Sequence, residues 1–198
     1  MAKNIYTKGT TPVGEAFFAH LVSPETFQGK STNKFSVMVK FAPKDEKLLL
    51  DRINKEWEKF TESEEGRKHK YKYEFANGMK DYQGENFFKF KMTHIINTKR
   101  GEWERTVPVF DATCKPMKDV ELGNGSKVKI AYELAPFYMS DKNYGISLRL
   151  AGVQVLSLVP PGGDSAEHLG FDKEEGYQQE DTVMESFEDF DSEGEGDF

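Results

Sequence analysis

The chain has 198 residues, 27 basic and 34 acidic side chains, and a formal net charge of −7. At 37 % hydrophobic and 13 % aromatic it can fill a real core, which excludes a wholly disordered protein. No run of about 18 apolar residues is present to form an ordinary transmembrane helix, and the single cysteine, Cys114, excludes an internal disulfide or a thiolate metal site.

Met1-Ala2-Lys3-Asn4-Ile5-Tyr6 carries no apolar signal-peptide core, so a non-secreted protein is expected. His20, His69, His94 and His168 are scattered without ligand-like spacing, and no metal or cofactor is expected. Along the chain, Phe35, Val37, Val39 and Phe41 alternate with other residues and predict a strand. Pro43-Lys44-Asp45 then opens a helix over about 44–60, with Leu49, Ile53, Trp57 and Phe60 as its apolar stripe. Residues 61–86 are charged and punctuated by glycine, and yield no assignment.

Residues 87–96 alternate again, with Phe88, Phe90 and Met92 on one face and Lys89, Lys91 and Thr93 on the other. Residues 97–101 read as a hairpin turn, with a return strand over 103–110. A long connection over 111–126 leads to a strand at 127–134, with Val128, Ile130, Tyr132 and Leu134 inside. Residues 135–140 read as a loop. Residues 145–150 and 152–159 supply one or two further strands, with a bulge at Ala151-Gly152. Many short strands and one substantial helix predict a mainly β fold. The best match is an OB-type five-stranded antiparallel barrel with an inserted helix; an immunoglobulin-like sandwich is the alternative.

Charge divides the chain after Gly163. Residues 164–198 hold 14 acids and one base, Lys173, for −13, whereas residues 1–163 hold 26 bases against 20 acids, for +6. Val159-Pro160-Pro161-Gly162-Gly163 marks the junction. The expected organisation is therefore a folded domain over 1–163 and a disordered acidic tail over 164–198. The tail also carries Phe187, Phe190, Asp197 and Phe198, and aromatics spaced within acid suit a docking segment better than a solubilising one.

A basic body attracts nucleic acid. Lys89 and Lys91, with Lys34 at the entry of the first strand and Lys127 and Lys129 on a later one, can track phosphates without reading sequence. They are equally what the wet face of a sheet would show. Phe137 and Tyr138 offer flat platforms for bases, or cap a barrel end. Arg67, Lys70 and Tyr71 interleave cations with a ring, as a single-strand contact or a surface loop would. Glu102, Glu104, Asp111 and Asp119 fall on one hairpin and its loop, without the convergence that two-metal nuclease chemistry requires, so no enzyme is expected. RNA binding, or a scaffold or DNA-mimic role through the tail, remain as alternatives.

The sequence resembles the single-stranded-DNA-binding proteins of the T-seven-like bacteriophages. The resemblance is carried by residues 1–6, by Phe88-Lys89-Phe90-Lys91, by residues 123–134 with the aromatics that follow, and by the acidic end Gly194-Glu195-Gly196-Asp197-Phe198. It implies an OB fold that binds and anneals single strands in phage replication, recombination and repair, inside the infected bacterium. It also implies that Lys34, Lys89 and Lys91 face DNA, with Phe137 and less directly Tyr138 stacking on bases. The tail and its last residue, Phe198, would dock onto the phage DNA polymerase and the helicase–primase, and homodimers are implied as well. Lys34 departs from the arginine of that family, replacing a planar fork by a point charge. The loop aromatics differ in type, and the tail is shorter.

Overall fold

The computed structural model describes residues 6–162. Among them, five strands close into a ring: β1 (Gly14–His20), β2 (Lys34–Lys40), β3 (Glu85–Thr93), β4 (Ser126–Ser140) and β5 (Asn143–Ser157). The ring order is β1-β2-β3-β5-β4 and back to β1. This is the predicted mainly β barrel with one correction. An odd ring cannot alternate in direction all the way round, so at least one neighbouring pair must run parallel. That pair is β3 and β5, in register at Lys91 and Arg149. The long chain excursion before the β4–β5 hairpin supplies the crossover that a parallel pair needs.

The interior follows the predicted alternation. Phe35, Val37 and Val39 of β2, Phe88, Phe90 and Met92 of β3, and Val128, Ile130 and Leu134 of β4 are all buried. Helix α1 (Pro43–Glu62) begins with proline in its first turn and Asp45 and Glu46 just after it, where the helix dipole favours acid. It presses Leu49 and Ile53 fully into the core. One turn on, the ring of Trp57 stacks on Phe75 at 4.9 Å and Tyr144 at 5.7 Å. On β5, Ile146, Leu148 and Leu150 point inward, then Val153 and Val155. The change of phase is a bulge, for Gly152 faces Ala131 and Leu150 faces Tyr132, leaving Ala151 unopposed.

Several elements depart from the expectation. The return strand predicted over 103–110 stops at Glu104; the hairpin Ile95–Thr98/Gly101–Glu104 forms its own small sheet, and Val109–Phe110 pairs parallel to β5 instead. Pro108 lacks the N–H that a continuing ladder would use, while its carbonyl accepts from Val153. Residues 135–140, predicted as a loop, are the second half of β4, with Pro136 opposite Ile146 and Tyr138 opposite Tyr144. Beyond Leu134, β4 has a partner on one side only among the described residues, and an edge strand tolerates proline. Within the unassigned stretch, Met79–Tyr82 is a strand against β3, turned by Gln83 and Gly84, both at positive φ. The acidic segment 164–198, with Phe187, Phe190, Asp197 and Phe198, lies outside the described residues.

Candidate nucleic-acid interface

Lys34, Ser36 and Met38 of β2 stand opposite Thr93, Lys91 and Lys89 of β3. Directly opposed residues project from the same face, so three lysines rise from one sheet surface. Residues 76–78 extend this surface by bridging β3 and β5, with the Gly78 carbonyl accepting from the Lys89 N–H at 3.0 Å. Ala76 is hydrogen-bonded to β5 at both ends, its N–H to the Tyr144 carbonyl at 3.0 Å and its carbonyl to the Ile146 N–H at 2.8 Å. Such an approach requires glycine at 145, where a Cβ would lie 2.1 Å from the Ala76 carbonyl oxygen. Over this surface lies an open trough of about 400 Å³, bordered by Lys34, Lys80, Lys89, Lys91 and Phe137.

The charges in the trough are unevenly compensated. Lys89 donates to both carboxylate oxygens of Glu25, at 2.7 and 3.0 Å, and the Ser36 hydroxyl donates to the same carboxylate at 3.1 Å. Burial alone would raise the Glu25 pKa; the Lys89 and Ser36 bonds and the Lys89 charge outweigh it and hold it below the ordinary value. Lys34, Lys80 and Lys91 form no ion pair with a described residue. Solvent still reaches Lys91, yet its pKa is lowered, first by desolvation and then by the charges of Lys89 and Lys34. An anion seated among these ammoniums would relieve that repulsion.

The other predicted residues lie elsewhere. Lys127 is paired with Glu15 at the opposite end of the barrel, and Lys129 stands across from Gln154; neither borders the trough. Because 135–140 is strand, Phe137 and Tyr138 point to opposite faces and do not form one looped platform. Tyr138 stacks on His69 at 3.8 Å and Tyr144 at 5.9 Å. Tyr71 packs edge-on against Trp57 and Tyr144 and donates its hydroxyl to the Gly66 carbonyl at 2.7 Å. Burial, ahead of the neighbouring Tyr138, raises its pKa. Arg67 and Lys70 are exposed beside this cluster and do not border the trough. Glu25 and Lys80 were not anticipated. The glycine turn after Tyr82, with Lys80 two residues before it, is the local signal that could have found the latter.

No family model and no curated protein matches the sequence. Solved structures do. The crystal structure of gp2.5, a single-stranded DNA-binding protein encoded by bacteriophage T7, superposes with a TM-score of 0.62 at 24 % identity, covering 88 % of this chain and 99 % of that one. The barrel shares its fold with phage single-stranded-DNA-binding proteins. The protein of bacteriophage Enc34, in complex with single-stranded DNA, matches with a TM-score of 0.58 at 12 % identity, over 79 % of this chain and 89 % of that one. A further structure of the Enc34 protein matches with a TM-score of 0.56 at 12 % identity. The OB-fold expectation thus holds. Among the described residues, no helix is long and apolar enough to cross a membrane, and no group of three or more His, Cys, Asp or Glu is placed to hold a metal ion.

Proposed function

We propose that the protein binds single-stranded DNA without reading its sequence, serving phage DNA replication, recombination and repair as a binding protein and not as an enzyme. The observation that carries this reading is the trough, where Lys34, Lys80, Lys89 and Lys91 gather on one surface with Phe137 at its edge. Ammoniums track a phosphate backbone, and a ring suits an unstacked base. The shared fold with two phage single-stranded DNA-binding proteins supports the binding. The acidic tail, rich in carboxylates and rings, resembles the DNA it would compete with. In this reading it occupies the trough in cis, at an effective concentration of about a millimolar, until DNA displaces it. The freed tail, ending in Phe198, then recruits the phage polymerase and helicase–primase.

Titration of the full chain and of a chain lacking residues 173–198 against single- and double-stranded DNA at two salt concentrations tests both parts. Preferential single-strand binding that tightens on truncation is expected. Equal affinity for the two DNA forms would overturn the DNA reading, and equal affinity before and after truncation would overturn the competition.

A further inference from the structure

A second cavity, of about 660 Å³, adjoins the trough and shares Lys34, Lys91 and Ser147 with it. Its new cations are Arg105, at the foot of the hairpin 95–104, and Arg149, on β5. The parallel seam sets Arg149 beside Lys91, two like charges in register. Glu133 is the one acid on the wall and faces Arg149 across the β4–β5 ladder, yet its carboxylate is bridged to Lys8 at 3.4 Å. Neither Arg105, Arg149, Lys34 nor Lys91 is ion-paired with a described residue. The Arg149 guanidinium lies 4.3 Å from the centre of the Tyr6 ring, a contact that orients the fork without neutralising it.

The hairpin forming the far lip is firmly anchored. Asn33 bonds both backbone groups of Ile95, at 2.8 and 3.0 Å, and its carbonyl accepts from the His94 N–H. His94 in turn meets Glu104 at 2.8 Å. On this hairpin Trp103 is 63 % exposed and stands opposite Ile96, which borders the cavity. Opposed residues share a face, so the exposed indole lies on the same hairpin face as Ile96.

We infer that this second cavity extends the interface: Arg105 and Arg149 grip phosphates of single-stranded DNA after it leaves the trough, and Trp103 stacks on one of its bases. A guanidinium fork matches a phosphate in two bonds where a lysine offers a point charge. The two cavities together form a continuous path over the β2–β3–β5 face, so a longer oligonucleotide is needed to fill it. The inference rests on the single-strand reading above and adds its exit route.

The test is fluorescence anisotropy with the full chain and oligothymidylates from about 4 to 16 nucleotides, the span of OB-fold sites. Wild type should gain affinity with length, whereas Arg105→Ala/Arg149→Ala should bind the shortest oligonucleotides equally well and gain little from longer ones. On the longest, its salt slope should flatten by about 1.4, two contacts at about 0.7 each. Arg105→Lys/Arg149→Lys, which keeps both charges on similar stems, should retain the wild-type slope. Trp103→Ala should lose about tenfold on long oligonucleotides only, the worth of one stacked base. If the double alanine variant keeps the wild-type length dependence and slope, the inference is overturned while the trough stands. If wild type binds no oligonucleotide, the single-strand reading falls first.

Discussion

Removing Lys89 and Lys91 together is the sharpest probe of the trough. Lys34, Lys80, Lys89 and Lys91 surround it. On a short oligothymidylate that fills the trough alone, four phosphate contacts make log K fall with log salt at a slope of about −2.8, at about 0.7 per contact on single strands. Between about 50 and 200 mM salt, wild-type affinity should therefore drop about 50-fold. Lys89→Ala/Lys91→Ala leaves two contacts, a slope of about −1.4 and a drop of about sevenfold over the same range. One complication follows from the geometry: Lys89→Ala strips Glu25 of the ammonium that holds both its oxygens. The pair should therefore be measured in the native background and with Glu25→Gln, which removes the orphaned charge. Anisotropy titrations with a fixed oligothymidylate over five salt concentrations give the slopes directly. A slope that stays near the wild-type value in both backgrounds would refute the assignment of these lysines to the phosphate path.

Glu25→Gln alone should tighten binding at low salt, because DNA no longer has to displace a resident carboxylate from Lys89; competition titrations against wild type read the sign. The same residue predicts a pH dependence. Its folded pKa lies below the ordinary value of 4.5, so the pair's stabilisation is complete above that value and is lost as pH falls through the lower folded value. Urea unfolding at neutral and acid pH should show the deficit of Glu25→Gln shrinking in acid. Gly145→Ala would drive a Cβ to 2.1 Å from the Ala76 carbonyl, at a φ of +153°; a loss above about 1 kcal/mol, with weaker DNA binding, is expected in denaturation and anisotropy. Ser126→Ala leaves the Val159 N–H without its hydroxyl acceptor at 3.0 Å, costing about 1–3 kcal/mol in the same unfolding assay.

Much of the barrel was legible because its strands alternate strongly. Phe35 to Phe41, Phe88 to Met92 and Val128 to Leu134 each declare an inside face, and the helix stripe ending at Phe60 declares its own. β1 was not legible. Phe17 and Phe18 are adjacent, Phe18 sits at a φ of +48° where the register with β2 shifts, and no period of two survives that irregularity. For the site, alternation tells in from out but not which sector of a closed ring a residue occupies. Lys91 and Lys129 look alike in sequence, yet one borders the trough and the other stands on β4 across from Gln154. Glu25, 64 residues before Lys89, and the seam that joins Arg149 to Lys91 are long-range facts that no local window contains.

The unopposed Ala151 has a consequence for how β5 can change in length. Upstream of it the even-numbered side chains fill the barrel, and downstream the odd-numbered ones do. Losing Ala151 itself would leave Gly152 opposite Ala131 and merge the two parities into one unbroken alternation with Val153 and Val155 still inside, whereas losing a residue away from the bulge, without other adjustment, would turn the side chains on one side of it to the wrong face. A single deletion in this strand should therefore be tolerated at the bulge and rejected away from it. Related chains would be expected to differ in single residues at the bulge and in pairs elsewhere along the strand.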